Sequence, residues 1–399
     1  MKKILFTIFV VSFCSLTFYE CDIIEENKVS IDEDSLYINK DGLYINGIAT
    51  GYDTITQNHR MSTVVNFLTG DVGSGVYEKY VVLEANKDFY LLMSLHGVLT
   101  YYGAILSDFS NDRDIFSSNV TLLSGDLIIG ENAPAMQVKE RGLYYITVNF
   151  NLEKPQIVVI PVQWGISGVN FDWNSFIPMS STSDFNYESK SFVVENLKVE
   201  YPCYFKFVNC TGWYILMDVY NNSYIITNLG NVQLETTIIS NELVHDGYNI
   251  KLAPGIYTIN LTWNLNDGDI KDNFNGEVIK IKDLENLDPS VWNLALIGSI
   301  GDTSWDVDYP FIYDAVNKNW YIENFAFHAD EEFKIRTVDT WDFINLGCGQ
   351  IVIMGDVENF NCVDDYVNGN IKVMSDAVYR KIILNYDFNT GDWSLDFQK

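Results

Sequence analysis

Two tryptophans and two cationic residues near the end of the chain form a pattern that suits recognition of a sugar. Lys334 and Arg336 alternate with apolar residues in 333–336 (FKIR), so a strand here would turn one face to the core and present both cations on the other. Trp305 precedes this stretch in an Asp- and Ser-rich segment, and Trp341 follows it. The apolar face of a pyranose ring stacks on an indole, while its hydroxyls need hydrogen-bond donors beside it. We predict that these four side chains form one sugar-binding site.

The alternative for both tryptophans is that they cap the hydrophobic core. Aromatic residues make up 15% of the chain, and in a β-rich protein most of them belong to the core. The two interpretations differ in the expected effect of substitutions. A sugar-binding Trp305 or Trp341 could be removed without unfolding the protein, and an exposed Arg336 could be replaced by Ala with loss of binding alone.

The sequence gives no support to catalysis or metal binding. Acidic residues number 54, so a pair of facing carboxylates could be chosen anywhere, and no nucleophile elbow, HExxH helix or Gly-rich phosphate loop occurs. Residues 264–277 (NLNDGDIKDNFNGE) resemble a calcium loop, but with Gly268 in sixth position Trp263 would be first and Phe274 twelfth. We predict a long hairpin there, and a protein with no catalytic residue, no metal and no cofactor.

Four cysteines lie in the body of the chain, at positions that fit no zinc pattern: Cys203, Cys210, Cys348 and Cys362. The four histidines lie far apart in sequence. A disulfide between Cys348 and Cys362 would suit an exported protein. Two buried free thiols fit the sequence equally well.

The net charge of −29, from 25 basic and 54 acidic residues, restricts the partners of this protein. Binding to phosphate needs a basic surface, so the sequence excludes nucleic acid as a partner. A sulfated or other polyanionic glycan would be repelled for the same reason. A neutral ligand carries no such penalty.

The N-terminus resembles the signal of a bacterial lipoprotein. A basic start precedes 4–17 (ILFTIFVVSFCSLT), an apolar stretch too short to span a bilayer permanently. Cys21 follows, although Glu20 stands before it where a small residue is usual, and 22–27 (DIIEEN) is acidic, as in surface-export signals of some Gram-negative lipoproteins. We predict a signal peptide over 1–20, lipidation of Cys21 and an acidic tether over 21–41. Plain secretion is the alternative.

Three segments of the chain begin and end alike. Short apolar stretches ending in Gly open them at 43–47, 164–168 and 294–298, and stretches centred on a Tyr close them at 142–148, 255–261 and 378–384. Middle stretches also repeat, as 192–197 (FVVENL) and 320–325 (WYIENF) show. The spacing between closing tyrosines is close to the ~100 residues of one small β-sandwich.

This repeat, with alternating apolar residues and no sustained helical period, predicts an all-β protein. We expect three tandem immunoglobulin-like antiparallel β-sandwich modules after the signal peptide. Their predicted bounds are 42–162, 163–287 and 288–399, and they are called the first, second and third modules below.

The third module resembles a C-terminal module of the SusE/SusF family, outer-membrane lipoproteins that hold starch at the cell surface for an uptake system. The matching stretches are 296–298 (LIG), 305–306 (WD), 320–325 (WYIENF), 332–336 (EFKIR), Trp341, 346–347 (LG), Tyr379 and 392–395 (DWSL). The second module matches more loosely, and the first only in its opening and closing strands. The resemblance implies binding of α-glucan through aromatic platforms and neighbouring polar side chains.

The corresponding positions in the other modules are less complete. In the second module they read Trp173, Lys206, Val208 and Trp213, without a counterpart of Arg336; in the first they read Tyr52, Tyr90 and Leu92, without either cation. The first module is therefore predicted to be a spacer, and binding by the second is doubtful.

Together these features predict a non-catalytic protein held in the outer membrane by a lipid anchor, with the cell surface favoured and a periplasmic orientation left open. We expect it to hold starch or a related neutral polysaccharide, with α-glucan favoured, and to work with other outer-membrane glycan-uptake proteins. A structural or adhesive surface lipoprotein without glycan binding is the alternative, and a glycanase is the third possibility that the sequence leaves open.

Overall fold

A computed structural model describes most of the chain beyond the predicted tether, in the ranges 40–52, 54–65, 72–109, 121–182, 186–218, 223–232, 242–266, 273–301, 303–363 and 368–399. The predicted signal peptide, Cys21 and nearly all of the tether lie outside the described residues, as do 267–272 of the predicted long hairpin. Within these ranges no helix has the length and apolar character needed to cross a membrane.

The described part of the first module forms two antiparallel sheets. Its strands are β1 Gly42–Asn46, β2 Ser62–Val65, β3 Val72–Leu83, β4 Tyr90–Leu95, β5 Val98–Gly103, β6 Ser107–Phe109, β7 Leu122–Asp126, β8 Ile128–Ile129, β9 Gly142–Asn149 and β10 Gln156–Pro161. One sheet has the order β1-β4-β5-β8 and the other β2-β3-β9-β10-β7-β6.

The second module is built largely on one long sheet. Its strands are β11 Trp164–Ser167, β12 Ile177–Pro178, β13 Ser180–Ser181, β14 Ser189–Val199, β15 Cys203–Asn209, β16 Tyr214–Asp218, β17 Ser223–Ile226, β18 Asn228–Asn231, β19 Leu243–His245, β20 Ile250–Leu252, β21 Gly255–Asn264 and β22 Asn273–Lys282. The sheet follows the order β12-β11-β15-β18-β19-β22-β21-β14-β13, with β20 beside β15, and β16 pairs separately with β17. The β21–β22 pairing confirms the hairpin predicted over 264–277.

The third module again contains two sheets. Its strands are β23 Leu294–Gly298, β24 Tyr309–Pro310, β25 Ile312–Asp314, β26 Asn319–Phe327, β27 Glu332–Thr337, β28 Asn345–Leu346, β29 Ile351–Gly355, β30 Phe360–Cys362, β31 Ile371–Val373, β32 Ala377–Tyr386 and β33 Trp393–Gln398. The orders are β24-β23-β27-β31-β30, with β28 beside β27, and β25-β26-β32-β33-β29, in which β29 and β33 run parallel. The remaining described elements are 3-10 helices at Ile48–Thr50, Gln57–His59, Val169–Phe171, Pro289–Trp292 and Val357–Asn359.

The structure confirms the all-β class, and the stretches that open and close each predicted module are strands. The opening stretches are β1, β11 and β23, and the closing stretches are β9, β21 and β32. In β21 buried and half-buried residues alternate along the strand, because alternate side chains face the core. The closing tyrosines are buried: the hydroxyl groups of Tyr144 and Tyr257 each donate a hydrogen bond to the carbonyl oxygen four residues upstream, at 2.7 Å. These contacts are tyrosine corners, which fix the turn that leads into the closing strand.

The repeated Glu-Asn pair in the middle strands marks an irregularity in the sheet. Asn196 in β14 and Asn324 in β26 have φ angles of 57° and 53°, and the register of β14 against β21 shifts between Val194 and Leu197. Asparagine tolerates the left-handed conformation better than most residues with a side chain. The sequence repeat therefore places a left-handed asparagine at the same position in two modules, and in β14 the register shifts there as well.

The first and second modules share a hydrophobic core. In β9, Tyr144 and Ile146 pack in the core of the first module, whereas Leu143 and Tyr145 belong to a cluster formed mainly by the second module. Val158 and its neighbours in β10 divide in the same way between the two clusters. The larger sheet of the first module is thus covered on both faces, and its outer cover is the second module.

The third module has a core of its own and contacts the second module through a smaller set of side chains. Phe343 packs edge-on against Phe171, with ring centroids 5.7 Å apart, and the Lys251 ammonium lies 2.7 Å from the Asp392 carboxylate. The core cluster of the third module includes Trp292, which lies at the end of the 3-10 helix that joins the two modules.

Of the alternatives left open for the cysteines, the structure has a disulfide between Cys348 and Cys362, whose Cα atoms are 5.6 Å apart. Cys203 and Cys210 are buried free thiols. Burial raises the pKa of each thiol to about 12, which makes them unreactive at neutral pH.

Candidate functional site

The outer face of the β23–β27 pair positions the predicted site. Lys334 lies directly opposite Ile297 and Arg336 opposite Ala295, while the intervening residues of β27 face the hydrophobic core. Ala295 and Ile297 are fully buried although they lie on the outer face. The predicted alternation of core-facing and outward-facing side chains along 333–336 is therefore confirmed. The burial of Ala295 and Ile297 also shows that other parts of the protein cover this outer face.

Trp305 and Trp341 come together beside this face. Their ring centroids are 6.2 Å apart and their planes are inclined by 41°. Trp305 is half-buried, in the left-handed conformation with φ 59°, and its backbone N–H donates to the Gly298 carbonyl at the end of β23. Trp341 is 41% exposed. Neither belongs to the buried core of the third module or to the described side chains packed against that core. We call these two residues the tryptophan pair.

Arg336 links the tryptophan pair to the strand, but not as the exposed donor that the sequence suggested. Its side chain is almost buried, and Nε and Nη2 donate to the two carboxylate oxygens of Asp308 at 2.8 and 2.9 Å. Its guanidinium carbon lies 4.6 Å from the centroid of the Trp341 ring, within the range of a cation–π contact. The expectation of an exposed Arg336 was wrong because the loop before β24 supplies a carboxylate to the outer face.

The carboxyl group of Asp308 is held ionised by its neighbours. Burial opposes ionisation, but hydrogen bonds from the Arg336 guanidinium and from the Asp339 backbone N–H, together with the charge on Arg336, lower the pKa of Asp308. The Asp339 N–H lies 2.8 Å from Oδ2. Asp308 therefore ties together the loop before β24, strand β27 and the segment leading to Trp341.

Lys334 differs from Arg336 in having a less constrained head group. It is half-buried, and within the described residues its ammonium group makes no hydrogen bond or ion pair. Burial lowers the pKa of Lys334. A half-buried cation without a protein partner is able to donate to an incoming ligand.

The described part of the protein contains no group of three or more potential metal-ligating residues. What the arrangement offers is an aromatic surface made of two inclined indoles, one of them held by an arginine that is itself fixed by a carboxylate. Such a surface is able to stack on the apolar face of a ligand, and the ammonium group of Lys334, on the same face of β27 as Arg336, is able to donate a hydrogen bond.

No family model matches the chain, and no curated protein matches it. Among solved structures, SusF from Bacteroides thetaiotaomicron aligns with 90% of this chain and 72% of its own, at 14% sequence identity and a TM-score of 0.22. A likeness of this size carries no argument about function.

The second module repeats the arrangement in part. Lys206 lies opposite Ser167 and Val208 opposite Gly165, the same register as Lys334 and Arg336 in β27. Trp173 and Trp213 form a similar pair, with centroids 5.8 Å apart and planes inclined by 47°. Lys206, however, is engaged by the Asp246 carboxylate at 3.1 Å. The second module therefore keeps the indoles and lacks the free cation.

Of this arrangement the first module keeps only the register of the two paired strands. Tyr90 lies opposite Asn46 and Leu92 opposite Tyr44. Tyr52, expected at the place of Trp305, instead contacts the second module, where its hydroxyl group donates to Glu188 at 3.1 Å. Tyr52 is thus part of the joint between modules.

Sequence reasoning missed a cleft of about 620 Å³ between the second and third modules. Its aromatic lining comes from both modules and consists of Phe171, Trp173, Tyr204, Trp341, Phe343 and Trp393. The sequence pattern marks Trp173 and Trp341 each within its own module. No sequence pattern indicated that the two would line one cleft, because that depends on how the modules pack.

Proposed function

We propose that this protein is a non-catalytic glycan-binding lipoprotein of the SusE/SusF type, and that its third module binds a neutral polysaccharide, with α-glucan favoured. The observation that carries the proposal is the tryptophan pair, which lies outside the core and contacts Arg336, on the strand face that also carries Lys334. A pair of indoles outside the core contributes little to folding, whereas it suits the apolar faces of consecutive sugar rings.

The charge distribution supports a neutral ligand. The chain has a net charge of −29, and Arg336 is already neutralised by Asp308. An anionic glycan would meet repulsion from the whole protein and only Lys334 as an unpaired local cation among the described residues of the site. The hydroxyl groups of a neutral sugar need donors but no net positive field.

The N-terminal sequence supports the proposed location. The short apolar stretch, Cys21 and the acidic residues after it suit a lipid anchor in the outer membrane, with the modules at the cell surface. In that position the protein would hold polysaccharide for other outer-membrane proteins of glycan uptake. Replacement of Cys21 by Ala is expected to release the protein from the membrane or to leave the signal uncleaved.

Native gel electrophoresis in the presence of polysaccharides tests the proposed function. The chain from Ile31 onward, which contains all described residues, should be retarded by α-glucans such as amylose. Trp341→Ala should lose most of this retardation with little change in thermal stability, because the indole is exposed. Val316→Ala is a matched surface control, since Val316 is 90% exposed. Unaltered mobility of the intact protein with every neutral polysaccharide would favour the structural or adhesive alternative.

A further inference from the structure

The cleft between the second and third modules has the lining expected of a carbohydrate site. Besides its aromatic residues it is lined by five carboxamide side chains, those of Asn174, Asn249, Asn345, Gln350 and Asn368. Carboxamides both donate and accept hydrogen bonds, as the hydroxyl groups of a sugar require. The volume of about 620 Å³ lies within the range of roughly 300–1,000 Å³ that ligand sites occupy.

The charges in the cleft favour a neutral ligand. Its charged lining residues are Lys251 and Asp342, which have opposite signs. The Lys251 ammonium is paired with the Asp392 carboxylate at 2.7 Å, and Asp342 accepts a hydrogen bond from the Thr340 hydroxyl group at 3.3 Å. Because Lys251 is neutralised by Asp392, the lining residues of the cleft offer no free positive charge to an anionic ligand, and the Asp342 carboxylate would repel one.

Two carboxamide oxygens of the cleft residues are buried without a partner. In the part of the chain that the structure describes, neither Oδ1 of Asn345 nor Oδ1 of Asn368 accepts a hydrogen bond. Buried polar atoms in proteins are nearly always paired, so such atoms require an explanation. Asn345 lies opposite Arg336 in the β27–β28 pair, which connects this wall of the cleft to the site of the third module.

Each of the two tryptophan-containing pairs places one indole in the cleft. Trp213 neighbours Trp173 at 5.8 Å, Trp173 and Trp341 line the same cleft, and Trp341 neighbours Trp305 at 6.2 Å. The cleft thus has an indole from each module in its lining, with a second indole beside each. Stacking surfaces on both sides of a module boundary suit a linear polymer that presents an apolar face at each repeat.

We propose that the cleft is a second carbohydrate subsite, in which one chain of a neutral polysaccharide bound to the tryptophan pair continues across the module boundary onto Trp173. This inference rests on the proposed function. In this proposal the second module takes part in binding through Trp173, although by itself it lacks the free cation of the third module. It also predicts that affinity depends on chain length, because only a longer oligosaccharide reaches both modules.

Titration calorimetry with linear neutral α-glucan oligosaccharides, from disaccharide to heptasaccharide, tests the inference. The affinity of the intact protein should rise with length by about tenfold beyond the shortest binders, the effect of one further stack. Trp173→Ala should abolish this rise and leave the affinity for short oligosaccharides unchanged. Trp173→Phe should restore part of it, because the smaller ring still stacks.

A second variant guards against loss of folding, since the Trp173 ring packs closely over Gly168. Asn174→Ala removes an exposed side chain at the cleft and should reduce only the length-dependent gain. If folded Trp173→Ala and Asn174→Ala both keep the full rise in affinity with length, the cleft proposal is wrong while the proposed function stands. If the intact protein binds none of the oligosaccharides, the proposed function fails and the cleft proposal with it.

Discussion

Arg336 holds an exposed aromatic side chain in place although it is almost buried itself. Its bidentate pair with Asp308 fixes the guanidinium group, whose central carbon lies over the Trp341 ring at 4.6 Å from the centroid. Arginine suits this role better than lysine, because its planar group matches a carboxylate and also stacks on an aromatic ring. The exposed indole of Trp341 is thereby held in place from beneath.

Replacement of Arg336 by Ala should destabilise the protein as well as weaken binding. The Asp308 carboxylate would remain nearly buried with one main-chain N–H donor, that of Asp339, and breaking such a pair costs about 3 kcal/mol. Denaturant unfolding of Arg336→Ala measures the loss. In the double variant Arg336→Ala/Asp308→Ala the destabilisation should be smaller than in Arg336→Ala, since no carboxylate is left unpaired. Equal stability of Arg336→Ala and the intact protein would contradict this account.

Single strands and their periodicity could be predicted from sequence, whereas the roles of loop residues could not. The alternation in 333–336 and the opening and closing strands depend on local pattern, and the structure confirms them. The pairing of Arg336 with Asp308 joins residues of different elements, and Asp308 looked like one of many surface acids. The contribution of Trp341 to the cleft with the second module could not be predicted for the same reason, since the cleft depends on residues of different elements.

The left-handed asparagines give a prediction at the level of one strand. At Asn324, with φ 53°, a β-branched side chain is strained, so Asn324→Val should destabilise the third module by about 1–3 kcal/mol. Asn324→Gly should be tolerated, because glycine adopts this conformation freely. Glu323→Val serves as the matched control, since Glu323 is exposed in the same strand. Thermal unfolding distinguishes them, and equal effects of both valine substitutions would contradict the prediction.

At the scale of the whole molecule, the first two modules differ from the third in how they are joined. The sequence repeat indicated three similar units, but it could not show that the sheet containing β9 is buried on both faces. Tyr80 and Tyr145 of the first module stack with centroids 4.3 Å apart within the cluster that also holds Trp164 and Phe274 of the second. The short joint between these modules leaves them packed face to face.

This packing predicts different behaviour for isolated fragments. Residues 288–399 should fold alone with a cooperative transition, because their core cluster is formed almost wholly within the fragment. Residues 42–162 alone would expose the face that contains Tyr80, Tyr145 and Val158. This fragment should therefore bind a hydrophobic dye and unfold at a lower denaturant concentration. Residues 42–287, which restore the cover, are the control. A compact 42–162 fragment without dye binding would show that the shared core is dispensable.

The central claim is that the tryptophan pair binds a neutral glucan, and the most direct measurement is calorimetric titration of the intact soluble chain and its Trp305→Ala/Trp341→Ala variant with a linear α-glucan heptasaccharide. Each stack contributes on the order of 1–2 kcal/mol, so the double variant should lose about a hundredfold or more in affinity. Its thermal unfolding should remain cooperative and close to that of the intact chain. Binding of equal strength by the folded double variant, or no heat of binding from the intact chain, would contradict the claim.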